Sequence, residues 1–284
     1  MFLPETADIR SSDWIVPAFD DPGLAPDYEA SGMDSCSEAR EWGQTLCDSL
    51  ERESREPATV RVNIVIDTVG STFEAEEILY ALRDFAVVLQ ASPIGFLFSF
   101  IKAFCEYPEF ILPDRADLTA STPCIRAYSQ HLLGIADRRD VAVLNAWSDD
   151  ADDSTWQGTR IEAADLLQVP RGRITENGVR SSMREALRYL AGDTSIDRID
   201  AEFARAQLWQ WLRHETGVLD SGLIISGFLF DAWLEEEREN LAGTAARKGV
   251  DAEPIRAAAQ ELAEISKMAV IVPFLSCRPY RIPG

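Results

Sequence analysis

The stretch V-R-V-N-I-V-I-D-T-V, residues 60–69, decides the fold class. Its valines and isoleucines recur almost without a break, which is the composition and length of a buried strand, with Asp67 at the C-terminal end. Outward from it, residues 74–85 place Ile78, Leu79 and Leu82 on one side of a helix and Glu74, Glu76, Glu77 and Arg83 on the other. A second apolar segment follows at residues 86–90. After Ser92-Pro93-Ile94-Gly95 comes another, residues 96–104. Strand, helix, strand is the unit of a parallel α/β sheet. Past a turn at Pro113-Asp114-Arg115 and a helix at about 123–133, D-V-A-V-L-N-A-W at 140–147 gives a third strand.

On either side the character changes. Residues 1–57 are rich in Asp, Pro, Ser and Gly and read as a loosely ordered arm, interrupted by a helix at 37–53. The run S-D-D-A-D-D-S at 148–154 reads as a solvated loop. Beyond it a short helix at 161–167 and longer ones at 175–191, 224–240 and 254–268 make the second half helical. The division expected is therefore an arm at 1–57, a partial α/β barrel-like region at 58–170 and a helical domain at 171–284. Between Asp197 and Asp220 lies an amphipathic aromatic helix. Phe203, Leu208, Trp211 and Leu212 share one face, Asp200 caps its start, and Gly217 with Asp220-Ser221-Gly222 ends it.

Composition narrows the function. The 284 residues suffice for a large core, and 46% of them are hydrophobic. The formal charge of −21, from 48 Asp and Glu against 27 Lys and Arg, argues against nucleic acid, because no basic surplus is left to displace counterions from a phosphate backbone. An anionic substrate would need local arginines to overcome that field. Five cysteines without CxxC spacing indicate neither a zinc site nor a disulfide framework, so a reducing compartment is expected. Residues 1–10 lack the basic start and apolar run of a signal peptide, and no stretch approaches a membrane span. The expectation is a cytoplasmic protein that engages neither membrane nor nucleic acid.

A series of segments in one order resembles malate synthase of the A type. They are E-E-I-L-Y-A-L-R-D at 76–84, F-S-F-I-K-A-F at 98–104, P-E-F-I-L-P-D-R-A at 108–116, I-R-A-Y at 125–128, A-A-D-L-L-Q-V-P-R-G-R-I-T-E-N-G-V-R at 163–180, and A-L-R-Y-L at 186–190. The strongest is R-A-Q-L-W-Q-W-L-R-H at 205–214 with G-V-L-D at 217–220, and F-L-S-C-R-P-Y-R at 274–281 is similar to the family's terminal segment. The resemblance implies a TIM-barrel ancestry with a C-terminal helical domain. It also implies condensation of acetyl-CoA with glyoxylate, with Mg2+ as cofactor.

That chemistry needs a carboxylate to take a proton from the acetyl methyl group, a hard cation on oxygen ligands, and positive groups for the enolate. Carried over by position, the resemblance puts the base on Asp197 and the first metal ligand on Asp67. The second metal ligand falls on Gly95, which offers no donor. The arginine that contacts glyoxylate in the family has no counterpart here. Arg171 and Arg173, beside Gly172, are candidates to meet CoA phosphates. With three strand candidates the barrel is expected to be incomplete, and its edges would have to be covered by helices or by another copy of the chain, which leaves a homo-oligomer open.

Each residue also has a plain structural reading. Asp197 suits a helix cap, Asp67 a turn carboxylate, and Arg171 and Arg173 a solvated loop. Asp200 and Glu202 suit a helix N-terminus, Trp209 and Trp211 core packing, His131 and His214 structural or surface roles, and Cys277 a buried inert thiol. Two functions stay open at this point. One is a malate synthase-like acyl-CoA enzyme acting on an acyl-CoA and a 2-oxo acid. The other is a non-catalytic relative that serves as a binding or assembly partner or comes from a decaying gene copy.

Overall fold

A computed structural model describes residues 26–147, 160–214 and 219–275. Its sheet has four parallel strands, β1 (Tyr28–Ala30), β2 (Arg61–Ile66), β3 (Ala86–Ala91) and β4 (Val143–Leu144), hydrogen-bonded in the order of the sequence. Parallel strands that always advance in one direction wind as a barrel does, whereas a doubly wound sheet reverses at its middle. The four strands form an open arc of such a barrel. Because the β2–β3 register is regular, from Arg61↔Ala86 to Ile66↔Ala91, alternate residues share a face. Val62, Ile64 and Ile66 are fully buried on one side. On the other, Asn63 is buried and donates to Gln90 Oε1 at 2.7 Å and to Glu29 Oε2 at 3.4 Å, a polar row across three strands.

The chain divides into two compact units, each described by itself. The first comprises Met1–Phe96 and Ile125–Leu166, and the second Leu97–Cys124 and Leu167–Gly284. In the first, α1 (Cys36–Arg52) carries Trp42, whose ring meets Phe85 edge-on at 6.5 Å just beyond the short helices α2 (Val69–Phe73) and α3 (Ala75–Ala81). Two further helices, α4 (Pro93–Ala103) and α5 (Pro123–Arg139), each run across the division between units. Tyr128 of α5 fixes the strand ends, accepting from the Ser92 N–H at 2.8 Å and donating to the Ile66 carbonyl while its ring stacks on Phe96. Past the four-residue α6 (Ala163–Leu166), the second unit is helical, with α7 (Glu176–Leu190), α8 (Arg198–Arg213), α9 (Gly227–Arg247) and α10 (Glu253–Ser266). Val179, Met183, Trp211, Phe230, Trp233 and Leu262 form the centre of its core.

Several expectations change. The apolar run at 96–104 continues one helix, α4, which Pro93 opens with its preset φ. The helix expected at 74–85 is the shorter α3, and a separate helix, α2, capped by Thr68 through a reciprocal bond with Ser71, precedes it. The third strand keeps only two paired residues, since Asn145 turns into the left-handed region at φ 58° and ends it. Within the arm expected at 1–57, residues 26–57 supply β1 and α1. Asp197, not Asp200, caps α8, so the cap lies three residues before the position expected. The acidic run at 148–154, Gly217 and Cys277 lie outside the described residues. No helix among the described residues is long and apolar enough to cross a membrane.

Candidate functional site

Asp67 follows the last residue of β2, and strand ends on this side are where a barrel opens its sites. Its Oδ1 accepts from the Gly32 N–H at 3.2 Å. Gly95, in the first turn of α4, comes so close that a Cβ built there would lie 2.8 Å from Asp67 Cβ and 2.7 Å from Ser92 Oγ. The two positions that the resemblance assigns to a metal are thus neighbours, as a shared site would require. Among the described residues, however, no group of three or more His, Cys, Asp or Glu is arranged to hold a metal ion. Mg2+ keeps several waters but is held by one or two protein carboxylates, and of the two positions Gly95 offers none while Asp67 Oδ1 is taken by the Gly32 N–H. The residues present do not fit a resident Mg2+.

In the second unit, Arg171-Gly172-Arg173 lines a cleft of about 420 Å³ whose apolar wall includes Pro108, Ile111, Leu112 and Ile174. The loop is held by carboxylates rather than by its own side chains. Asp117 accepts from the Arg173 N–H at 2.8 Å, and Asp114 accepts from the Thr175 N–H at 3.1 Å and hydroxyl at 2.5 Å. Burial pushes the Asp114 carboxyl upward against the pull of those Thr175 bonds. Gly172 permits the contact, since a Cβ there would stand 2.7 Å from both Asp117 Oδ2 and Pro113 Cβ. With its backbone fixed, Arg173 leaves its side chain 70% exposed at the cleft, 4.0 Å from Asp220. Arg171 is exposed beside it.

Asp197 sits at the start of α8, where its exposed carboxylate accepts from the Ile199 N–H at 2.7 Å. A carboxylate there meets the positive end of the helix dipole. Two further acids share its field. Asp200 is pushed upward by burial and then by the Asp197 charge, and Glu185 of α7 by burial and then by Asp200, with Arg115 opposing both shifts.

The remaining candidates are structural. Glu202, 1% exposed, pairs with Arg205 at 2.8 Å and accepts from the Leu275 N–H at 2.7 Å, so it anchors the segment after α10 instead of serving the helix start. Trp209 and Trp211 are buried, and their indole N–H groups donate to Met268 and Leu112 carbonyls. His131 meets the Thr72 carbonyl and His214 the Cys105 carbonyl, with burial pulling His131 downward. Sequence reasoning passed over Asp114 and Asp117. Their signal was a pair of acids beside P-D-R, with two glycines downstream at 172 and 178 where side chains would collide with them.

Residues 23–149 match the family model described as Malate synthase, TIM barrel domain. The chain is 25% identical over 327 residues to Malate synthase A of Escherichia coli (strain K12), covering 92% of this chain and 61% of that relative. It is 26% identical over 324 residues to Malate synthase of Myxococcus xanthus (strain DK1622), covering 91% and 60%. The chain is similar to malate synthases at about a quarter identity over most of its length. Maize glyoxysomal malate synthase, 26% identical over 70% of the chain and 48% of the relative, has the same relation to it. The chain spans about half to three fifths of the length of these malate synthases. The 327-residue alignment also exceeds the 284 residues of the chain, so the relative carries internal segments that have no counterpart here. The arc of four strands among the described residues agrees with that difference.

Proposed function

We propose that the chain is a malate synthase-like acyl-CoA enzyme that binds its thioester in the second unit, with Arg171 and Arg173 meeting CoA phosphates and Asp197 acting as the base. The observation that carries this reading is the cleft. Two exposed arginines on a backbone held by Asp114 and Asp117 stand beside an apolar wall, in a protein whose net charge is −21. Local cations of this kind are what a phosphate-bearing ligand needs to overcome a repulsive field.

Asp197 has the qualities of a base in part. It is exposed, and its cap bond occupies one oxygen, which leaves the other to take a proton from a thioester methyl group. The reaction would be condensation of acetyl-CoA with glyoxylate, or a related acyl-CoA and 2-oxo acid reaction, in a cytoplasmic setting where cysteines stay reduced. No step is assigned to a metal.

A second reading, a relative that binds but does not turn over, is favoured by Gly95 and by the poor fit of Asp67 to Mg2+. Free-thiol release by the purified chain with acetyl-CoA and glyoxylate, with and without Mg2+, separates the two. The enzyme reading expects release in wild type and its loss in Asp197→Asn. Equal rates in the two proteins remove Asp197 from the mechanism, and no release in either leaves the binding relative.

A further inference from the structure

Residues 31–36, which join β1 to α1, lie across the C-terminal end of β2, and several contacts hold them there. Besides the Gly32 N–H on Asp67, the Thr68 hydroxyl donates to the Met33 carbonyl at 3.3 Å, and the Cys36 N–H donates to Glu74 Oε2 at 2.8 Å. Gly70 approaches this segment so closely that a Cβ on it would stand 2.5 Å from the Asp34 carbonyl oxygen. Met33, 5% exposed, anchors the segment in the core, and Gly32 turns its amide toward Asp67 at φ 69°, a conformation that favours glycine. From the opposite side comes the first turn of α4. The space into which a side chain at position 95 would project is taken by Asp67 Cβ, Ser92 Oγ and, at 3.2 Å, the Asp67 carbonyl.

We infer that this strand-end corner is closed to divalent cations and that Asp67 has become a latch for the β1–α1 connection. The loss of a donor at Gly95 is then not a gap that a single substitution refills. A carboxylate at that position would need room that Asp67 and Ser92 occupy. The charge on Asp67 is met without a metal, by the Gly32 N–H and by the positive end of the adjoining α4. The inference stands apart from the acyl-CoA reading, because it concerns cation binding whether or not a substrate is turned over.

The test uses the full chain with Mn2+ as a spin-active probe, titrated into wild type and Asp67→Asn, and hydrogen exchange over residues 31–36 as the readout of the latch. Mn2+ uptake is expected to be weak, without a one-equivalent step, and the same in both proteins. A one-equivalent site in wild type that disappears in Asp67→Asn overturns the inference. Exchange at 31–36 is expected to rise roughly tenfold in Asp67→Ala, the scale of one lost hydrogen bond, and to be unaffected by millimolar Mg2+ in wild type. Unchanged exchange in Asp67→Ala overturns the latch, and slower exchange in wild type with Mg2+ overturns the closure. Gly95→Asp is expected to lower Tm without creating a site. A Gly95→Asp protein with unchanged Tm and one bound Mn2+ overturns the steric argument, and where it does not fold the Asp67→Asn comparison decides alone.

Discussion

The strand-end corner at Asp67 and the loop at Arg171 to Arg173 use the same device to opposite effect. In each, an aspartate accepts from a backbone N–H of a passing segment, Gly32 for Asp67 and Thr175 for Asp114. In each, a glycine without room for a side chain completes the fit, Gly95 against Asp67 in one and Gly178 against Asp114 in the other. At Asp67 the gripped segment lies over the strand end and fills it. At Asp114 the gripped segment leads into a helix, its arginines are left exposed, and a cleft of about 420 Å³ remains. In one unit the candidate ligand is engaged by the backbone, while in the other acids hold the backbone and the arginine side chains stay exposed, Arg173 within 4.0 Å of Asp220. Position in a family pattern therefore says where a residue stands, and its backbone partner says whether it is still available.

The contrast can be strained from several sides. Glu202→Ala should have the largest effect, a loss of about 3–5 kcal/mol in urea unfolding, because it strands Arg205 in a buried site and orphans the Leu275 N–H. A loss below about 1 kcal/mol would show that the pair is replaceable. Gly95→Asp should cost about 1–3 kcal/mol by overpacking, measured by thermal unfolding, whereas a neutral change would mean the corner is roomier than its contacts imply.

Asp200→Asn probes the acids around Asp197. A carboxyl pushed upward in the fold binds its proton more tightly folded than unfolded, so wild type loses stability as pH rises from the ordinary aspartate value through the raised one. The variant should accordingly be more stable than wild type at pH 7, by on the order of 0.5 kcal/mol, with the advantage vanishing below the ordinary aspartate range. An advantage that grows on acidification would reverse the sign. Asp197→Asn should have the smallest effect on stability, a few tenths of a kcal/mol, because asparagine caps a helix about as well as aspartate. That near-neutrality makes it a clean control for activity, and a large Tm change would remove it from that use.

Much of this was legible in the chain. The run at 60–69 gave β2 and placed Asp67 at its end, since uninterrupted β-branched residues admit few other readings. The segment from Arg205 onward gave both the helix and the resemblance to malate synthases. Strand β1 was hidden because Tyr28, Glu29 and Ala30 are too few to show a period, and pairing with β2 alone makes them a strand. Asp197 as the cap of α8 was hidden by Asp200, which fits the first turn equally well in sequence and differs only in where the backbone leaves the extended region. The latch at Asp67 could not be read at all, because its partner at Gly32 is 35 residues away and donates a backbone N–H, a group that every residue but proline carries.

The measurement that bears most directly on the account is titration of acetyl-CoA into the wild-type chain and into Arg171→Ala/Arg173→Ala, each with and without Mg2+. Wild type is expected to bind equally with and without Mg2+, and the double variant is expected to lose binding. Binding that requires Mg2+, or that survives removal of both arginines, would contradict it.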